Sequence, residues 1–330
     1  MNLRGVMKKV KSIGPFTLHD FAPSSESFRD EVLRGLARPS KSIPSKFFYD
    51  TTGSRLFDDI CELEEYYPTR TEVRILAESG KEMRACIGPR AVLVELGAGS
   101  SIKTRMLLDH LEEPIYIPVD IAREHLIAST ALLCDAYPDL EIIPVCADYT
   151  RDFVLPKPAR DAKWLSFFFP GSTIGNLSRD EAVRFLVHLR RVACGPCGVL
   201  VGVDLKKDRR VLEAAYNDMK GVTAAFNLNL LARINRELEG DFVLSSFRHR
   251  AFYNEAESRV EMHLVSTVEQ TAHVGGVAVR FAEGESILTE YSHKYSLESM
   301  REIAGEGGFS VDKVWTDPDG LFSVQLLNSR

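Results

Sequence analysis

An apolar run that ends in an acid and then in two closely spaced glycines is the first part of this chain equipped for chemistry: Val92-Leu93-Val94-Glu95-Leu96-Gly97-Ala98-Gly99. Taken alone the loop is a weak signal, because nucleotide sites and plain turns both use it. It lacks the GxxxxGK[ST] spacing of a phosphate loop, and Ile102 stands where the last glycine of a GxGxxG fingerprint would fall. Two more acids strengthen it. Asp120 closes the apolar run PIYIPVDI, and Asp148 closes LEIIPVCADYT. Carboxylates at three successive strand ends suit a nucleoside that offers ribose hydroxyls and an exocyclic amine as donors, carries cationic centres, and has no phosphate. A pyrophosphate would call for the opposite charge, which argues against a nicotinamide enzyme.

A second group of polar residues lies elsewhere. Glu290 and Ser292 are two apart in a candidate strand, so both point to one face. Asn176 follows the apolar run KWLSFFF, and Tyr49 and Tyr66 sit in aromatic clusters next to helix starts. Each also has a plain reading: Glu290 as a solvated edge acid, Asn176 as a helix-entry residue, Met262 as core, and either tyrosine as core packing. The eight histidines show no HExxH or clustered Cys/His spacing, so no metal is expected. Cys194-Gly195-Pro196-Cys197 follows a helix and precedes a strand, the wrong order for a helix terminus to activate the first thiol, and it reads as a turn.

The elements that must position these groups alternate from residue 90 onward. AVLVELG, PIYIPVDI, LEIIPVCADYT, KWLSFFFPGSTIGN and GVLVGVDL read as strands buried on both faces, separated by helices, one of them capped by Ser178 with Glu181. That is a doubly wound α/β sheet, whose ligands sit at the carboxyl ends of the strands. Upstream, helices are expected at the start of SESFRDEVLRGLARP, at GSRLFDDICEL, and from Thr69, with Glu72 completing a capping box. Residues 206–295 read as a long helical stretch followed by antiparallel hairpins with a Gly275-Gly276 turn. A last helix and two strands across Asp319-Gly320 close the chain. The expected division is a sheet domain at 70–205 and 296–330, and a second, inserted α+β domain from 1–69 and 206–295, with a site in the cleft between the lobes.

Bulk properties exclude several classes. The 330 residues include 41 basic and 47 acidic side chains, a net charge of -6, which gives no field for nucleic acid. No run approaches the roughly 20 apolar residues of a membrane span, and no apolar signal segment follows the basic start. Six scattered cysteines suit a reducing, cytoplasmic setting.

VELGAG, Asp120 and the closing strand pair resemble the class I methyltransferase pattern, a Rossmann-like sheet with a terminal antiparallel strand. FFYDTTGSRLFDDI, EEYYPTRTE, VELGAGSSIKTR, FFFPGSTIGN, FNLNLLARINRELEGDF, RVEMHLVS and ILTEYSHKYS, in that order, resemble the ergothioneine-pathway histidine Nα-methyltransferases along nearly the whole chain. The resemblance implies S-adenosylmethionine as methyl donor, contacted by Tyr49, Gly97, Lys103, Asp120, Asp148 and Tyr149. It implies that Asn176 grips the amino and carboxylate groups of the substrate, with Gly171 and Thr173 nearby and Tyr216 on the carboxylate. Tyr66, Glu290 and Ser292 would meet the imidazole, with Met262 beside the ring. It further implies L-histidine and its mono- and dimethylated intermediates as partners, and a monomer. Relatives acting on tryptophan-type substrates would replace the acid and serine by less polar groups; a non-catalytic nucleoside or amino-acid binding module is the other reading. Glu64 where a proline is common, and Tyr291 between Glu290 and Ser292, depart from the family pattern.

Overall fold

The computed structural model describes residues 9–21, 25–99 and 102–330. Ser100 and Ser101 of the SSIKTR block, and the basic start of the chain, lie outside them. The chain divides into two compact units, one from Met1–Ala22, Pro68–Lys206 and Lys294–Arg330, the other from Pro23–Tyr67 and Lys207–His293.

The first unit is built on a ten-stranded sheet. Its strands are β1 (Lys9–Ile13), β2 (Phe16–Asp20), β3 (Ala91–Leu96), β4 (Ile115–Asp120), β5 (Glu141–Ile142), β6 (Val145–Cys146), β7 (Trp164–Phe169), β8 (Gly198–Asp204), β14 (Phe309–Thr316) and β15 (Phe322–Ser329). They lie in the order β1-β2-β6-β4-β3-β7-β8-β15-β14, with β5 also on β4. The central strands are parallel, and β15 runs antiparallel against β8. This is the class I methyltransferase sheet, and its register sets Leu96 beside Val119 and Asp120 beside Cys146, so the carboxyl ends of β3, β4 and β6 form one edge.

Why these segments are strands follows from burial on both faces. Val92, Val94 and Leu96 pack with Phe185, Leu189, Met300 and Ile303 on one side, whereas Leu93, Phe168 and Leu200 pack with Ile75, Leu76 and Met83 on the other. A period of two in an all-apolar run serves both layers, and each fully buried Leu, Val or Phe contributes about 1.5–3 kcal/mol.

Four features depart from the sequence reading. The third strand is interrupted: Pro144 has no N–H for the ladder, and the chain pairs with β4 on either side of it as β5 and β6. The helix after Tyr66 spans Tyr67–Ile87, so Thr69 lies inside its first turn and Glu72 makes no capping box; its carboxylate accepts from the Gly171 N–H instead. The N-terminal boundary also moves. Residues 9–20 form the β1–β2 hairpin, and β2 pairs with β6, so this stretch belongs to the sheet unit and not to the inserted one. Last, the expected long helix after residue 206 is two helices, Arg209–Tyr216 and Val222–Glu237, split where Gly221 takes φ +73 and Asp218 accepts from the N–H groups of Val222 and Thr223.

The second unit contains these two helices, the helices Ser25–Leu36 and Thr51–Cys61, and a three-stranded antiparallel sheet. That sheet is β9 (Phe247–Asn254), β10 (Arg259–Ser266) and β13 (Ser286–His293), in the order β13-β10-β9. The remaining strands, β11 (Gln270–Val274) and β12 (Val277–Phe281), form the hairpin expected across Gly275-Gly276.

Candidate active site

In the sheet unit the glycine loop leaves β3 at Gly97, whose φ of +78 a side-chain-bearing residue would adopt only with strain. A Cβ there would lie 3.8 Å from the Tyr149 ring, so Tyr149 closes one side of the loop. Tyr149 is wedged edge-on against Phe169 and Phe185, and burial raises its phenol, keeping the hydroxyl neutral. Asp120 receives the Gly99 N–H at 3.1 Å on one oxygen and the Ala122 N–H at 2.8 Å on the other. A carboxylate has about four acceptor sites, so this acid fixes the loop and still has capacity for ligand hydroxyls. Asp148 is held in an Asx turn by the backbone N–H and hydroxyl of Thr150. Acceptors at these strand ends, with an open glycine loop between them, fit a phosphate-free nucleoside.

Glu95 behaves differently from the other two strand-end acids. It is 2% exposed and accepts from the Thr104 and Tyr116 hydroxyls. Burial pushes its carboxyl up to about 8, against the pull of those two hydrogen bonds. It is a structural acid, committed to its own neighbours. Because the folded chain holds this proton more tightly than an unfolded one, whose glutamate titrates near 4.5, stability falls as the pH rises through that window to about 8. The Glu95→Gln variant is therefore expected to fold and to flatten the thermal midpoint between pH 4.5 and about 8; a slope identical to the parent would show that Glu95 ionises at no cost.

Lys103, in the helix Ile102–Leu108, places its ammonium 2.7 Å from a Glu72 oxygen. That same oxygen receives the Gly171 N–H at 2.8 Å. Gly171 opens the turn after β7, Thr173 bonds back to the Pro170 carbonyl, and Asn176 ends the 3-10 helix Thr173–Asn176 rather than a strand. Two further contacts fix this turn. Ser172, left-handed at φ +56, accepts from the Asp204 N–H, and the Tyr295 hydroxyl donates to the Ile174 carbonyl. Asn176 itself is half-buried, at the end of a turn pinned along its length.

The second unit gathers the other set. The Tyr216 hydroxyl donates to Ser292 Oγ at 2.7 Å, and the rings of Tyr66 and Tyr216 meet edge-on at 6.2 Å. Burial raises the Tyr66 phenol well above its usual value, followed in effect by the neighbouring Tyr216, Cys61, Glu290 and Tyr49. Met262 and Glu290 are paired across β10 and β13, and a bulge between Met262 and His263 follows them. Tyr49 packs against Phe57 and Phe226, and Phe57 against Tyr66, which extends the aromatic wall. The backbone carbonyl of Tyr216 is held by His249, which is in turn bonded to Asn227.

The expected site residues thus form two groups: Gly97, Lys103, Asp120, Asp148, Tyr149, Gly171, Thr173 and Asn176 in the sheet unit, and Tyr49, Tyr66, Tyr216, Met262, Glu290 and Ser292 in the other. Sequence reading missed Glu72, whose spacing from Thr69 mimics a capping box. It also missed Phe57 and Phe226, which carry no signal distinguishing them from core.

A family model described as histidine-specific methyltransferase, SAM-dependent, matches residues 28–329. A histidine N-alpha-methyltransferase of Mycolicibacterium smegmatis is 42% identical over 309 residues, covering 92% of this chain and 95% of that protein. The Ergothioneine biosynthesis protein 1 of Neurospora crassa is 31% identical over 296 residues, 84% of this chain and 32% of that longer protein. An L-tryptophan methyltransferase of Psilocybe serbica is 27% identical over 337 residues, covering 93% of this chain and 94% of that protein. The chain belongs to the histidine-specific, S-adenosylmethionine-dependent methyltransferase family and is an enzyme of that class.

Proposed function

We propose that this enzyme transfers methyl groups to the α-amino nitrogen of L-histidine, in three rounds through the mono- and dimethylated intermediates, giving the betaine hercynine for ergothioneine biosynthesis. The observation that carries the choice of substrate is the polar cluster of Tyr66, Tyr216, Glu290 and Ser292, with Tyr216 bonded to Ser292, in a relative of histidine methyltransferases. A neutral imidazole offers one N–H to the Glu290 carboxylate and one acceptor nitrogen to a neighbouring hydroxyl, whereas an indole has a single N–H donor and no acceptor to answer the hydroxyls.

S-adenosylmethionine, when bound, supplies an electrophilic methyl group on its sulfonium. In this reading Asp120, Asp148, Tyr149 and the Gly97 loop hold its nucleoside, and Lys103 faces its carboxylate. The substrate nitrogen must be a neutral amine, because an α-ammonium has no lone pair and is largely protonated near pH 7. Its proton passes to water, a bond forms from nitrogen to carbon, and the carbon–sulfur bond breaks with its electron pair on sulfur. No covalent enzyme intermediate is needed, and orientation supplies much of the rate. Asn176 suits the grip because its amide offers an acceptor for N–H and a donor for the carboxylate. An aspartate there would repel the carboxylate and favour the ammonium. Tyr49 contacts the cofactor and Tyr66 the imidazole in this reading, and a tyrosine ring facing the growing cation is worth about 0.5–2 kcal/mol. As N–H donors disappear with each round, contacts to the ring and the carboxylate must carry recognition.

Among the described residues no helix is long and apolar enough to cross a membrane. None of the six cysteines is in a disulfide; the family resemblance supports a cytoplasmic enzyme acting as a monomer. Incubation with S-adenosylmethionine and the proteinogenic amino acids together, followed by mass spectrometry, tests the reading. Successive methyl gains on histidine alone are expected; gains on tryptophan in its place, or no gain at all, would overturn it.

A further inference from the structure

We propose that Glu72 is a positioning residue for methyl transfer, a single buried carboxylate that sets both Lys103 and the turn leading to Asn176; the proposal rests on the function given above. Glu72 is 0% exposed and sits in the helix Tyr67–Ile87, whose neighbouring inward residues Ile75, Leu76 and Met83 are apolar. One of its oxygens lies 2.7 Å from the Lys103 ammonium and accepts the Gly171 N–H at 2.8 Å. The other oxygen is buried with no hydrogen-bond partner among the described residues.

The surroundings are cut to fit this carboxylate. A Cβ on Gly202, in the middle of β8, would come 2.1 Å from the unpartnered oxygen and 3.1 Å from the Gly171 nitrogen. A Cβ on Gly171 would come 3.2 Å from the Lys103 ammonium. A glycine inside a buried strand costs packing and backbone entropy, so its presence at 202 marks a close approach that the strand must accommodate. A helix needing only attachment to the sheet is served at least as well by apolar packing, since replacing a buried ion pair by well-packed side chains is often neutral or stabilising. What the carboxylate adds is position. It joins the first turn of the helix after the glycine loop to the first amide of the turn that ends at Asn176.

Two variants separate its two contacts. Glu72→Gln keeps an oxygen for the Gly171 N–H and removes the charge facing Lys103; Glu72→Ala removes both. The measurements on the full chain are thermal midpoint, calorimetric affinity for S-adenosylhomocysteine, and kcat and KM for histidine. In Glu72→Gln Lys103 keeps its charge for the ligand carboxylate but loses the partner that fixes where the ammonium sits. A released lysine must be re-ordered on binding, and Glu72→Gln is expected to bind S-adenosylhomocysteine about tenfold more weakly. Its KM for histidine should stay within about twofold and its midpoint within about 3 °C of the parent. Glu72→Ala should lose about 100-fold in kcat, most of it restored by glutamine. Unchanged ligand affinity in Glu72→Gln, or losses in both variants that track the midpoint alone, would overturn the proposal. If Glu72→Ala does not fold, Glu72→Gln decides by its affinity. Failure of the methyltransferase reading itself would show in the parent chain, as ligand binding without methylation of histidine.

Discussion

Asn176→Asp is expected to reduce turnover by about two orders of magnitude or more while leaving the affinity for S-adenosylhomocysteine within a few-fold of the parent. The side chains are nearly isosteric, and the turn around position 176 is held by others: the Gly171 amide on Glu72, Ser172 on Asp204, and the Tyr295 hydroxyl on the Ile174 carbonyl. The change is therefore chemical. The amide of Asn176 can donate to a carboxylate and accept from an amine, whereas a carboxylate repels the first and stabilises the second as an ammonium, the unreactive form. Steady-state kinetics beside calorimetry check both halves. Turnover equal to the parent would remove Asn176 from the reacting end of the substrate.

Glu290→Ala should act on the other end. A charge-assisted hydrogen bond from the imidazole is worth about 1.5–3 kcal/mol, so KM for histidine is expected to rise by roughly 10- to 150-fold, with cofactor affinity unchanged. Glu290 stands on β13 opposite Met262, next to the bonded pair of Tyr216 and Ser292, so its loss leaves the strand pairing and that hydrogen bond in place. Titrating histidine and S-adenosylhomocysteine separately against the variant distinguishes the cases. Equal weakening of both would mean that the substitution had damaged the fold.

The central strands were legible because their burial is two-sided: a run such as AVLVEL has no amphipathic alternative once it is bounded by a glycine loop. The closing hairpin and the Ser178–Glu181 capping box were legible for the same local reason, since every residue that defines them is a near neighbour. What escaped was non-local, or was misread locally. Pro144 interrupts a ladder that apolar content alone suggests is continuous. Gly221 and Asp218 did mark the break between two helices, but a helical pattern on both sides masked it. The β1–β2 hairpin is short, and nothing in KVKSI or FTLHD names β6 as its neighbour. In the candidate site, the placing of acids and glycines at strand ends could be read from spacing, and the groups proposed for the substrate came from the family blocks. Glu72 could not, because its partner Gly171 lies 99 residues further along the chain and a capping pattern offered a nearer explanation. The commitment of Glu95 to Thr104 and Tyr116 was hidden for a related reason: a strand-end acid looks the same in sequence whether it faces a ligand or a hydroxyl of its own fold.

The position of the transferred carbon tests the account most directly. With S-adenosylmethionine labelled at its methyl carbon and unlabelled L-histidine, nuclear magnetic resonance of the product should show a single labelled trimethylammonium signal with a three-bond correlation to the α-proton, and both imidazole nitrogens unsubstituted. Label on a ring nitrogen, or on the carboxylate as an ester, would contradict it.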